Sequence, residues 1–193
     1  GEGILAVTKA LLQSGVSYVG GYQGAPVSHL LDVMVEAAPQ MRELGVHVVD
    51  SAPERLAFPE KNLSVLAVPD VPGAANAIAL TPDPAARYNV LLLHGEVEGM
   101  LPPYAAAIDR ASMEITKEQL AADQWSYVAL GHYHVYREID PNAFYSGSIE
   151  YTSANAWGEL TEERQARVPG KGIIERDLDT GAHTFHHVPP ARP

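Results

Sequence analysis

The sequence predicts an α/β protein with a short helical N-terminal segment, a body of buried strands, and an antiparallel meander at the C-terminus. Three observations carry that reading. Apolar residues recur at helical spacing in the first 44 positions. Short, nearly continuous apolar runs at 63–69, 88–93 and 127–130 have the length of strands buried on both faces. Four further strand-length segments follow close together toward the C-terminus.

In order, Ile4-Leu5-Ala6-Val7 and Leu12 predict a first helix that Gly15 ends. Val16-Ser17-Tyr18-Val19 predicts a short strand, and 20–26, with three glycines and Pro26, a loop. Ser28 is placed to cap a helix over 29–44, which Pro39 kinks or splits. From Gly45 the texture changes to strands and loops, beginning with the β-branched stretch 46–49. Thr116-Lys117-Glu118-Gln119 has the spacing of a capping box and opens a short helix. Segments 135–139, 143–146, 172–178 and 183–188 predict the meander, with a turn at Asp179-Thr180-Gly181.

Composition narrows the chemistry. Net charge is −11 without a run of Lys or Arg, which argues against sequence-independent attraction to nucleic acid across the whole surface. A nuclease stays open, since a metal centre neutralises phosphate locally. With no cysteine there are no disulfides, thiolate metal ligands or thiol nucleophiles, so a transition metal would need His, Asp, Glu or Asn. The sequence carries no apolar run of membrane-spanning length, so no membrane association and a cytoplasmic location are the expectations. The chain starts at Gly1 without methionine, and an excised piece of a longer protein is expected on that ground.

The residues that suggest chemistry are histidines at strand ends. The run 88–93 stops at His94-Gly95, and the run 127–130 stops at Gly131-His132-Tyr133-His134. The carboxyl ends of buried strands are where layered α/β folds place ligands, and glycine lets backbone approach them closely. Alternation along an extended segment would aim His132 and His134 to one side; a local turn would instead send them to two neighbouring ions. Neutral imidazole binds manganese, iron and zinc. A strand-end His such as His94 also serves as an ordinary polar cap, and His183, His186 and His187 read as solvent-facing residues of a hairpin.

Leu91-Leu92-Leu93-His94-Gly95, then 127–134, then Phe144-Tyr145-Ser146-Gly147-Ser148, resemble in order and interval the second half of calcineurin-like metallophosphoesterases of the DNA repair exonuclease type. The likeness runs from about residue 45 to 178. It implies an incomplete, layered αββα sandwich, a divalent cofactor (manganese foremost), and a phosphate ester or nucleic acid as substrate. Carried over by position, His94 and His132 bind one ion and His134 the other. The family's Asp-x-His, Gly-Asp-x-x-Asp and Gly-Asn-His-Asp/Glu motifs do not occur in 1–45. The resemblance therefore implies a truncated phosphoesterase, weak or inactive alone; Asp70, Glu96 and Asp123 are the candidates to substitute for the lost carboxylates, and nothing in the sequence places them.

Residues 1–40 resemble a different family. Gly1-Glu2-Gly3-Ile4-Leu5-Ala6 and the loop at 20–28 are similar to the N-terminus of thiamine-diphosphate-dependent indolepyruvate or 2-oxoacid:ferredoxin oxidoreductases, with Gln23 and Ala25 where that loop has Pro and Thr. A Gly-Asp-Gly diphosphate motif and cluster-binding cysteines do not occur in the sequence, so thiamine diphosphate is not expected to bind. The reading is a chimera of an oxidoreductase-like fragment, 1–44, and a phosphoesterase-like domain, 45–193, prone to self-association. A non-catalytic binding module and an oxidoreductase fragment are the alternatives.

Overall fold

The computed structural model describes residues 43, 47–49, 51–71, 79–100, 111, 113–151, 156–168 and 170–189. The elements expected over 4–12 and 16–19, and all of the 29–44 helix but Glu43, lie outside the described residues; Glu43 is helical. Residues 47–49 form no strand despite their β-branched composition.

The described chain is mixed α/β and rich in strands. It opens with β1 (Glu54–Phe58), which the sequence reading does not anticipate because its residues alternate weakly and stay largely exposed. A 3-10 turn at Pro59–Lys61 closes on Asn62, whose φ of 52° is one that Asn tolerates. The chain then returns as β2 (Leu63–Val68), antiparallel to β1 with Leu56 opposite Val65. The next strand, β3 (Tyr88–His94), runs parallel to β2 with Leu66 opposite Leu91. Its buried Asn89 holds the turn before it: Nδ2 donates to the carbonyls of Asp83 (3.1 Å) and Ala86 (3.2 Å), and Oδ1 accepts from the Asp83 amide (2.7 Å).

Two short segments, β4 (Glu96–Val97) and β5 (Glu114–Ile115), pair parallel beyond the end of β3. Helix α1 (Lys117–Leu120) begins at the expected capping box: Thr116 Oγ1 accepts from the Gln119 amide at 3.1 Å, and Gln119 Oε1 accepts from the Thr116 amide at 2.9 Å. Ala121, at φ 43°, ends the helix, and a 3-10 turn at Ala122–Gln124 leads into β6 (Tyr127–Gly131), parallel to β3. Then β7 (Arg137–Asp140) and β8 (Ala143–Tyr145) form an antiparallel pair in which β8 also lies parallel to β6. The main sheet therefore has six strands in the order β1–β2–β3–β6–β8–β7.

Helix α2 (Ala156–Ala166) follows. It escapes a reading based on apolar periodicity because the side chains it buries are Glu159 and Glu163. The last elements, β9 (Gly172–Arg176) and β10 (His183–His187), make a separate antiparallel hairpin, so the expected meander is divided between two sheets. Asp177 organises the hairpin turn by accepting from the amides of Asp179 (2.8 Å) and Thr180 (2.9 Å). Gly181 there has φ +72°, a conformation that favours glycine. Arg87 Nη2 meets Asp179 Oδ1 at 2.7 Å and the Tyr88 hydroxyl donates to the same oxygen, which fastens the hairpin turn to the start of β3.

The core lies along the central strands, where Leu66, Leu91, Leu93, Val128 and Leu130 pack with Ile115, Leu120 and Trp125. Burial on both faces explains why these strands read as apolar runs rather than as alternating patterns. Leu91 is fully buried, so Leu91→Ala should cost about 2–5 kcal/mol through lost transfer energy and a cavity. No helix among the described residues is long and apolar enough to cross a membrane.

Candidate functional site

The parallel register of β3 and β6 sets His94 beside Gly131, and His132 is the next residue on. Both histidines thus sit at the carboxyl edge of adjacent strands. Their rings stand edge to face with centroids 5.8 Å apart. Gly131 is what permits this approach: a Cβ there would come within 2.8 Å of His94 Nδ1. The Gly95 amide donates to the Gly131 carbonyl at 3.2 Å and closes the ladder at this point.

His132 has φ 108°, in the left-handed region that a residue bearing a Cβ rarely enters. Holding such a backbone costs on the order of 1–3 kcal/mol, and such residues cluster at functional sites. The turn also breaks strand alternation, so His132 and His134 have different neighbours. His132 faces His94, whereas His134 Nδ1 lies 3.2 Å from Glu159 Oε1 on α2.

Around His134 is a buried ionic network. The Lys171 side chain is 0% exposed, and its Nζ lies 2.5 Å from Glu159 Oε2 and 3.0 Å from Glu163 Oε1. It also donates to the His134 carbonyl at 2.7 Å. The Tyr151 hydroxyl donates to Glu163 Oε2 at 2.6 Å, and Lys171 Nζ sits 4.6 Å from the Tyr151 ring centre. Burial, and then that hydrogen bond to a carboxylate, push the Tyr151 phenol up to about 12. Two carboxylates on successive helical turns thus grip one ammonium, which answers the cost of burying each charge. Nearby, Glu162 accepts from the Tyr133 hydroxyl and from Arg137 Nη2 (3.1 Å), which binds the other flank of α2 to β7.

Tyr145 supports the loop after His94 from beneath. Its hydroxyl accepts from the Val97 amide and donates to the Gly95 carbonyl, both at 2.9 Å, and burial pushes the phenol far up.

The carboxylates considered as substitutes divide by position. Asp70 follows β2 by two residues, at the same edge of the sheet, and its Oδ1 is shut off from solvent. Glu96 is buried in β4, two residues beyond His94. Asp123 is exposed in the 3-10 turn before β6, at the opposite end of the sheet. A concave pocket beside α1, bordered by Lys117, Asp123 and Asp140, lies at that same far end.

Two imidazoles bonded to one ion at about 2.1 Å have centroids about 4.5–6 Å apart for ordinary bond angles at the metal. The His94–His132 centroids, 5.8 Å apart, fall in that range. Among the described residues no set of three or more His, Asp or Glu side chains is gathered as ligands, and Nδ1 of His134 faces Glu159. Glu159, Glu163, Tyr151 and Lys171 were not singled out from sequence; an acidic pair four residues apart on a polar helix reads as a solvated face. No family model matches the chain, and no curated protein matches it closely enough to count as a relative.

Proposed function

We propose that this chain belongs to a divalent-metal-dependent phosphoesterase acting on phosphodiesters, with His94 and His132 as ligands of one ion and His134 as a ligand of a second. The observation that carries the reading is the convergence of the His94 and His132 rings at the carboxyl edge of two adjacent parallel strands. That is the pairing implied by the resemblance of residues 45–178 to calcineurin-like metallophosphoesterases. In this reading the six-stranded sheet is one layer of an αββα sandwich, and manganese is the favoured ion.

When bound, such an ion supplies Lewis acidity to phosphoryl oxygens and lowers the pKa of water. The chain's own residues do the rest. Gly131 leaves room for the His94 ring, the Tyr145 hydroxyl fixes the backbone that follows it, and the positive-φ turn at His132 aims the second ring. Asp70, two residues past β2, and Glu96, two residues past His94, are carboxylates at the same edge of the sheet.

At most weak, residual manganese-dependent hydrolysis of bis-p-nitrophenyl phosphate, abolished by His132→Ala in a folded variant, is the expected result. Saturable manganese binding without turnover would instead identify a non-catalytic module. Absence of both would end the phosphoesterase reading.

A further inference from the structure

We propose that Glu159 is a positioning residue that fixes which nitrogen of His134 carries the proton, and so which one is open to a ligand; the ligand role of His134 rests on the function proposed above. The geometry assigns each oxygen of the Glu159 carboxylate a separate task. Oε1 faces His134 Nδ1 at 3.2 Å, while Oε2 meets Lys171 Nζ at 2.5 Å. A carboxylate only accepts hydrogen bonds, so the neutral His134 ring must present Nδ1–H to it. Nε2 then holds the lone pair. Metal-binding histidines are commonly oriented in this way, with the second nitrogen donating to a carboxylate or carbonyl.

The buried ammonium is what makes the arrangement rigid. Lys171 Nζ is tied to Glu159, to Glu163 and to the carbonyl of His134 itself, so the backbone and ring of His134 are held from both ends. Helix α2, which supplies both carboxylates, and Lys171, at the threshold of β9, thus act through His134 without themselves being ligands.

This wiring predicts an inversion on isosteric substitution. In Glu159→Gln, the Lys171 ammonium must face the amide oxygen rather than the NH2 group, because it has no acceptor to offer an NH2 group. The NH2 must then turn toward His134 and donate to Nδ1, which forces the proton onto Nε2.

The test is a long-range 1H–15N correlation spectrum of the metal-free full chain, labelled on histidine. It is recorded at about pH 8, above the usual imidazole pKa of about 6.5, with His134 assigned by its loss in His134→Gln. The wild type should show the Nδ1–H tautomer, Glu159→Gln the Nε2–H tautomer, and Glu163→Gln no change. A wild-type Nε2–H ring, an unchanged tautomer in Glu159→Gln, or the same inversion in Glu163→Gln would overturn the proposal. Manganese added to the same samples separates the two readings. The expected result is broadening of His134 in the wild type and a roughly 10–100-fold weaker midpoint in Glu159→Gln. Inversion of the tautomer without any manganese effect on wild-type His134 would leave Glu159 as its positioning residue and remove the metal reading alone.

Discussion

Nζ of Lys171 lies 2.5 Å from Oε2 of Glu159, with the lysine side chain wholly withdrawn from water. The ammonium also meets Glu163, so removing it leaves two buried carboxylates without their counter-charge. Lys171→Met should therefore destabilise the chain by about 3–5 kcal/mol, the usual cost of breaking a buried ion pair from one side. Replacing all three partners together, as Lys171→Met with Glu159→Leu and Glu163→Leu, should recover most of that loss. Urea unfolding at neutral pH measures both variants.

Gly131→Ala tests the approach of backbone to ring. The new methyl would fall 2.8 Å from His94 Nδ1, so the ring must move. Stability should change by about 1–3 kcal/mol, the range for overpacking. Manganese affinity should fall at least about tenfold, in keeping with misplacement of a ligand. Isothermal titration with manganese reads the affinity; an unchanged value would count against His94 as a ligand.

His132→Gly separates strain from function. Glycine accepts the φ of 108° that His132 adopts, so urea unfolding should show a gain of up to about 1 kcal/mol. The same variant should lose manganese binding. A loss of stability would mean that the ring contact with His94 outweighs the backbone strain.

The phenols predict how the protein responds to alkali. Tyr127 is pushed up to about 12 by burial, Tyr151 to about 12 by burial and its bond to Glu163, and Tyr145 is raised further by burial. Each is neutral in both states below the ordinary value of 10.0. Above it the unfolded chain ionises first, so stability falls as pH rises from 10 through the folded values. Phenolate absorbance should show part of the nine tyrosines ionising only together with unfolding.

The two tryptophans are optically distinct. Trp125 is 3% exposed within the core and Trp157 is 80% exposed on α2. Acrylamide quenching should resolve an accessible and a protected population, and Trp157→Phe should leave only the protected, blue-shifted one.

The sequence made the central strands legible because runs such as Tyr88–His94 and Tyr127–Gly131 combine apolar residues with glycine and histidine stops. The capping box at Thr116 was legible for the same local reason. Helix α2 was not, since it buries Glu159 and Glu163, whose partner Lys171 lies several residues past its end. Nor was β1, where pairing with β2 supplies the order that its own alternation lacks. The contact between His94 and His132 depends on strand register, which the strand-end pattern hinted at but could not fix. Within that pattern nothing distinguished His134 from its neighbour; the positive φ of His132 does so in three dimensions.

Because Lys171 directly precedes β9, the terminal hairpin and the ionic network are mechanically one piece. A protease cut or stop codon just upstream of residue 171 would do more than trim a tail. It would withdraw the cation that holds His134, and α2 would be left with two buried carboxylates without a counter-charge.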